Sequence, residues 1–200
     1  MKAYASIANN TVNLGKRHVE VMDELERMLD QGESFSTMSE LAKILKISLR
    51  TLYEIAPSKE VLIVTTVDRV LKKHGRIAMD AIKDHSSPIK KLESFLVIAN
   101  QAVGPRFEKF TSSLGNLSTS KPMVDFHEQY ITNFIKSLLD EARSKNEIKD
   151  IDTQATAMLL GGLGRFFQTK KLLKDLNQTP EQTSNFLTEI IISGIKLENQ

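Results

Sequence analysis

Between Thr37 and Pro57 the chain starts a helix, stops it, starts another and stops again. Nothing else in the sequence limits the fold so tightly. Thr37 is placed to cap the first of these helices, with Glu40 three residues on to close a capping box. Leu41, Ala42 and Leu45 supply its buried face. Ile47 and Ser48 follow, and Ser48 is placed to cap a helix containing Leu49 to Ile55. Pro57 ends that helix, because proline disfavours the helical conformation in the residue before it. Two short helices across a turn of three to four residues make a helix-turn-helix. The same outline also fits the short hairpins of any helical bundle, so the residues have to decide between the two.

The rest of the chain is helical in pattern. Glycine and proline fall mostly between periodic segments, and strand-like alternation is nearly absent, so an all-α fold is expected. A first helix carries Val21, Leu25, Met28 and Leu29 and stops at Gly32, with Met1 to Gly15 before it as a helical extension or a loose arm. Ser58 is placed to cap a long helix running to about Asp84 or bending at Gly75, with Leu62, Val67, Val70, Leu71, Ile77 and Ile82 as its apolar positions. Further helices are expected over Pro88–Ala102, Pro105–Ser113, Pro122–Lys145, Asp152 to about Leu173, and Pro180–Leu197. The last has the clearest start: Thr179 as cap, Pro180 in the first position and Gln182 to close the box.

Composition mainly excludes. There is no cysteine, which removes disulfides, thiolate metal sites and cysteine nucleophiles, and suits a reducing cytoplasm. No signal-peptide pattern and no membrane-length apolar run is visible, so a soluble cytoplasmic protein is expected. Lys and Arg number 27 against 25 Asp and Glu. A DNA-binding face must therefore come from local placement of basic groups, not from overall charge.

The stretch Thr37-Met38-Ser39-Glu40-Leu41-Ala42, then Ile47-Ser48, Thr51-Leu52-Tyr53 and Pro57-Ser58-Lys59-Glu60-Val61-Leu62, resembles the N-terminal domain of the TetR/AcrR transcriptional regulators. The ending Ile192-Ser193-Gly194-Ile195 looks like that family's last helix. The resemblance implies a three-helix DNA-binding domain over residues 15–63. A long helix would join it to an effector-binding and dimerisation domain over 64–200. It further implies a homodimer on a palindromic double-stranded operator, a small, mostly apolar effector, and no enzymatic activity or cofactor. Departures are visible too. Lys46 stands where the family usually has glycine, Ile55 and Ala56 replace two aromatics, and Glu54 brings a negative charge to the expected DNA face.

Residue roles follow from this resemblance together with side-chain chemistry. Ser48, Leu49, Arg50 and Thr51 open the recognition helix, and Arg50 is its only long basic side chain, suited to a base or phosphate. Tyr53 matches a family tyrosine that meets a phosphate. Lys59, at a helix start, and Thr37 and Ser39, at another, suit phosphates as well. The competing roles are a core tyrosine, a plain cap and a solvated lysine.

Towards the C-terminus, Leu159, Leu163, Phe166 and Phe167 on one helix and Phe186, Ile190, Ile191 and Ile195 on the last make both apolar around much of their circumference. A second buried face is expected there, either deep in a monomer core or, as the resemblance implies, in a dimer. Met79, Phe95, Phe107, Phe110, Met123, Phe126, Tyr130 and Phe134, with Asn100 and His127 among them, read as core or, taken together, as a mostly apolar effector pocket. No catalytic or metal site is expected. His127-Glu128 begins like a zinc-peptidase helix, but Ile131 occupies the place of the second histidine. Gly161-Gly162-Leu163-Gly164 lacks the strand of a nucleotide loop and suits close helix packing. An all-helical sensor or adaptor without sequence-specific DNA binding is the alternative.

Overall fold

A computed structural model describes residues 15–33, 35–101, 120–166 and 177–197. Eight helices lie among them: α1 (Lys16–Gln31), α2 (Met38–Ile44), α3 (Leu49–Ile55), α4 (Lys59–Ala81), α5 (Pro88–Gln101), α6 (Lys121–Ser144), α7 (Thr153–Phe166) and α8 (Pro180–Ile195). No strand occurs among the described residues, and one isolated antiparallel bridge links Ile148 and Lys196. The all-α expectation holds. Pro105–Ser113, the stretch before Gly15 and the end of the helix expected to reach Leu173 lie outside the described residues.

Most helix ends are where local chemistry puts them. Thr37, Ser48 and Thr179 each accept a hydrogen bond from the backbone N–H three residues on. At Thr179 the reciprocal bond from its own N–H to Gln182 completes the capping box. At Thr37 the box closes differently, because Glu40 Oε2 takes the N–H of Ser36, at 2.6 Å, rather than that of Thr37. Three helices end in one hydrogen-bonded pattern. A residue in the left-handed region lets the next N–H reach back five residues, as Glu33 does to Met28, Ile47 to Ala42 and Glu147 to Ala142. The left-handed residues are Gly32 (φ 74°), Lys46 (φ 52°) and Asn146 (φ 55°). Helix α4 is continuous through Gly75 and stops at Ala81, short of Asp84.

The chain divides into two compact units. The first holds the described residues up to Lys72 together with 120–126, and the second holds Lys73 to Gln101 and the described residues from His127 onward. In the first, Met22, Leu25, Met28 and Leu29 of α1 meet Leu41 of α2, Leu52 of α3 and Leu62 of α4, all essentially inaccessible to solvent. Full burial of such a side chain contributes about 1.5–3 kcal/mol, so this set fixes the three short helices on α4. Arg69 of α4 ties α1 down further through Asp23 (2.5 Å) and Glu26 (3.6 Å).

In the second unit, α8 packs on α5 and α7. Its core takes Leu92, Phe95 and Leu96 of α5, Ile135, Leu138 and Leu139 of α6, and Ala157, Leu160 and Leu163 of α7. Of the glycine run, Gly161 carries the close approach: a Cβ there would lie 2.9 Å from Thr132 Oγ1 of α6, whereas one on Gly162 would meet open space. Glu147 gathers the end of the unit. Its carboxylate accepts from Ser87 Oγ (2.8 Å) and the Ile89 N–H (2.9 Å) at the start of α5, while its backbone carbonyl takes the Leu197 N–H.

Candidate nucleic-acid interface

Helix α3 has seven residues, too few to persist alone in water. Leu52 and Ile55 hold it by insertion into the core of the first unit, 0 % and 4 % exposed. That fixes what the other side presents. The Arg50 side chain is 88 % exposed, Tyr53 52 % and Leu49 39 %. Ser48 caps the helix at Thr51 N–H (3.0 Å), and its hydroxyl lies 2.8 Å from Thr51 Oγ1, so these two polar groups are engaged with each other. Thr37 and Ser39 are exposed at the start of α2, the former as its cap. The turn between the helices passes through Lys46, and a left-handed residue with a Cβ costs about 1 kcal/mol there.

Lys59 is half-buried at the start of α4. The donors a phosphate would use at that helix end are partly taken. Ser58 Oγ accepts from Val61 N–H (3.2 Å), and Glu60 bonds its own N–H and Ser58, which lowers its carboxyl below the ordinary range. Glu54 is the feature with the most to say. Its Oε1 accepts from Arg50 Nε at 2.9 Å and its Oε2 lies 3.2 Å from His18 Nε2 of α1. Its carboxyl is held below the ordinary range, chiefly by the Arg50 bond, then by His18, against a smaller opposing effect of burial. The Arg50–Glu54 spacing of one helical turn is legible in the sequence, but no sequence signal marks His18, 36 positions away.

The residues read as an effector pocket are not gathered within either unit. Met123 lies in the core of the first. In the second, Phe95 and Phe134 pack ring against ring with centroids 4.8 Å apart, and Met79 lies against the same core. Buried Asn100 donates to Asn185 Oδ1 (2.9 Å) and Thr188 Oγ1 (3.2 Å) of α8. His127 is half-buried, Phe126 and Tyr130 are exposed, and Phe107 and Phe110 lie outside the described residues.

The residues read as a dimer face divide. Leu159, Phe166, Phe186 and Ile190 are exposed, each by more than half, and Met158, absent from that set, joins them at 60 %. Leu163 is a correction. It is 6 % exposed in the core of its own unit, because helical periodicity puts it on the stripe of Ala157 and Leu160. Ile191 and Ile195 pack partly buried against that core, and Phe167 lies outside the described residues. Among the described residues no three His, Asp or Glu side chains gather as metal ligands, and no helix is long and apolar enough to cross a membrane.

No protein-family model matches the sequence, and no curated protein matches it. Solved structures do. A TetR transcription regulator from Haloarcula marismortui is 14 % identical with a TM-score of 0.75, over 92 % of this chain and 100 % of that one. The fatty acid degradation regulator FadR from Bacillus halodurans is 14 % identical with a TM-score of 0.71, over 93 % and 100 %. AibR, solved with isovaleryl coenzyme A and operator DNA, is 17 % identical with a TM-score of 0.61, over 88 % and 97 %. The chain has the all-α fold of the TetR-family regulators.

Proposed function

We propose that this chain is a cytoplasmic transcriptional regulator that binds a palindromic operator as a homodimer and leaves it when a small, mostly apolar effector binds. One observation carries the reading. The short helix after the turn is pinned by Leu52 and Ile55 and holds Arg50 and Tyr53 out to solvent, as a recognition helix entering a major groove requires. Tyr53, Thr37, Ser39 and Lys59 are then the phosphate contacts, and Ser48 and Thr51 set the helix start. The fold shared with regulators, AibR with its acyl-CoA and operator among them, supports the same reading.

The dimer is the remaining part of the proposal. Exposed Met158, Leu159 and Phe166 on α7, with Phe186 and Ile190 on α8, form apolar surface that association would bury. Two recognition helices would then lie about 34–36 Å apart, one turn of DNA. Residues 15–63 are assigned to DNA and 64–200 to effector and dimer. Within the latter, Phe95 and Phe134 offer an apolar wall. Asn100 and the buried hydroxyl of Ser184, which has no hydrogen-bond partner among the described residues, offer polar anchors. An effector that binds better to a conformer with a different helix spacing weakens DNA binding by that difference.

A selection of bound duplexes from a random-sequence pool tests the proposal, with an enriched inverted repeat expected. A monomer at micromolar concentration, or no enriched sequence, overturns it. The second reading, a helical sensor without sequence-specific DNA binding, draws on the near-balanced charge and on Glu54 engaging Arg50. Salt dependence separates the two, because phosphate contacts make affinity fall steeply as salt rises.

A further inference from the structure

The recognition helix carries a carboxylate where neither the helix dipole nor DNA affinity favours one. Arg50 lies at the N-terminal end of α3 and Glu54 near its C-terminal end, both the wrong way round for the helix dipole. Facing a polyanion, the half-exposed Glu54 also repels phosphates. The contact geometry supplies a different role. Glu54 Oε1 engages Arg50 through Nε alone, at 2.9 Å, and among the described residues no bond engages Nη1 or Nη2. The carboxylate is itself held, because its other oxygen accepts from His18 Nε2 at 3.2 Å, in the first turn of α1.

We infer that Glu54 is a positioning residue: it holds the Arg50 guanidinium by Nε so that the free Nη1/Nη2 edge meets the O6 and N7 acceptors of a guanine. An exposed arginine otherwise loses its rotamer freedom only on binding DNA, and a side chain ordered beforehand loses less. Nε is the one guanidinium nitrogen whose engagement leaves the end-on pair open for two parallel bonds. The negative charge at the DNA face lowers affinity for every duplex, and the fixed guanidinium restores it only where the guanine is present. Glu54 thus trades grip for discrimination. The inference rests on the DNA-binding reading above.

The test uses the full chain and a duplex enriched by the wild-type protein from a random-sequence pool. The guanine read by Arg50 is the position at which Arg50→Ala loses its preference. Glu54→Ala and Glu54→Gln are then measured, at one salt concentration, on that duplex, on the same duplex with that base pair replaced, and on an unrelated duplex. Both variants remove the same charge, so both bind the unrelated duplex more tightly, and by a similar factor. Glu54→Ala has no acceptor for Nε and loses about tenfold in discrimination at the guanine. The amide oxygen of Glu54→Gln still accepts from Nε and keeps discrimination within about threefold of wild type. Without DNA, the Arg50 Nε–H signal in ¹⁵N–¹H spectra is restrained in the wild type and in Glu54→Gln, and mobile in Glu54→Ala. If both variants shift all three duplexes alike, or the Nε–H signal is the same in Glu54→Ala as in the wild type, Glu54 acts through charge alone and the inference is overturned. A wild-type protein that enriches no sequence overturns the DNA-binding reading itself, an outcome distinct from the first two because they leave that enrichment intact.

Discussion

Helices α3 and α8 leave different chemistry exposed. In α3 the inward side is Leu52 and Ile55 and the outward side is Arg50, Tyr53 and Glu54, an ordinary amphipathic arrangement. In α8 the inward stripe is Ser184, Thr188 and Ile192, while Phe186 and Ile190 stand more than half exposed. Two hydroxyl side chains are buried there while Phe186 and Ile190 are left outside, although Leu187, Ile191, Ile192 and Ile195 still pack inward. The hydrophobic effect within one chain accounts for the inward side of α3 and for the Leu187, Ile191, Ile192 and Ile195 side of α8, but not for the exposed Phe186 and Ile190. What each helix leaves outside is suited to a different class of partner, a charged polymer for the first and an apolar protein surface for the second.

Four experiments break or sharpen that contrast. Leu52→Ala removes the anchor of α3 and is expected to cost about 2–5 kcal/mol in denaturant unfolding, with operator binding lost in parallel. A loss under 1 kcal/mol contradicts the packing of α3 described here. Phe186→Asp is expected to leave the fold of the chain intact and to weaken self-association about a hundredfold, measured by sedimentation equilibrium. Unchanged self-association removes α8 from the dimer proposal. On the Phe186→Asp background, two neighbouring glycines of α7 are expected to respond with opposite sign. Gly161→Ala crowds Thr132 and lowers stability by about 1 kcal/mol, whereas Gly162→Ala meets open space and raises it by about 0.5–1 kcal/mol through helix propensity. Thermal unfolding of the two variants checks the pair, and equal shifts count against the close approach of α7 to α6.

The smallest effect concerns pH. Arg50 first, then His18, hold the Glu54 carboxyl below its ordinary value, so a ¹³C titration should find its midpoint below that of a free-peptide glutamate. The sign follows from that direction. The pair's contribution is present above the unfolded carboxylate range and disappears as the pH falls through the lower folded value. A midpoint in the ordinary range means that the pair does not form.

What was legible in the sequence is what is satisfied locally. The caps at Thr37, Ser48, Ser58 and Thr179 each bond an N–H three residues on, so residue type and spacing suffice to find them. The helix-turn-helix was legible for the same reason, since its stops and starts lie in one short stretch. Where a choice depends on a distant partner, sequence gave less. Even one residue matters, since Glu40 takes the N–H of Ser36 rather than that of Thr37. Leu163 and Leu159 read alike as apolar residues of one helix, yet only packing decides that the first turns inward. His18 meets Glu54 only because the first-unit core brings α1 beside α3.

The three left-handed helix ends carry a consequence for evolution and engineering. Glycine occupies that position after α1 and asparagine after α6, residues that tolerate it, but after α2 the chain keeps a lysine. A screen that rewards heat resistance alone should therefore select Lys46→Gly, with a gain of about 1 kcal/mol. If the proposed DNA binding holds, a screen that rewards operator occupancy should keep the lysine, whose charge is exposed in the turn between α2 and α3. The two selections pull one backbone position in opposite directions.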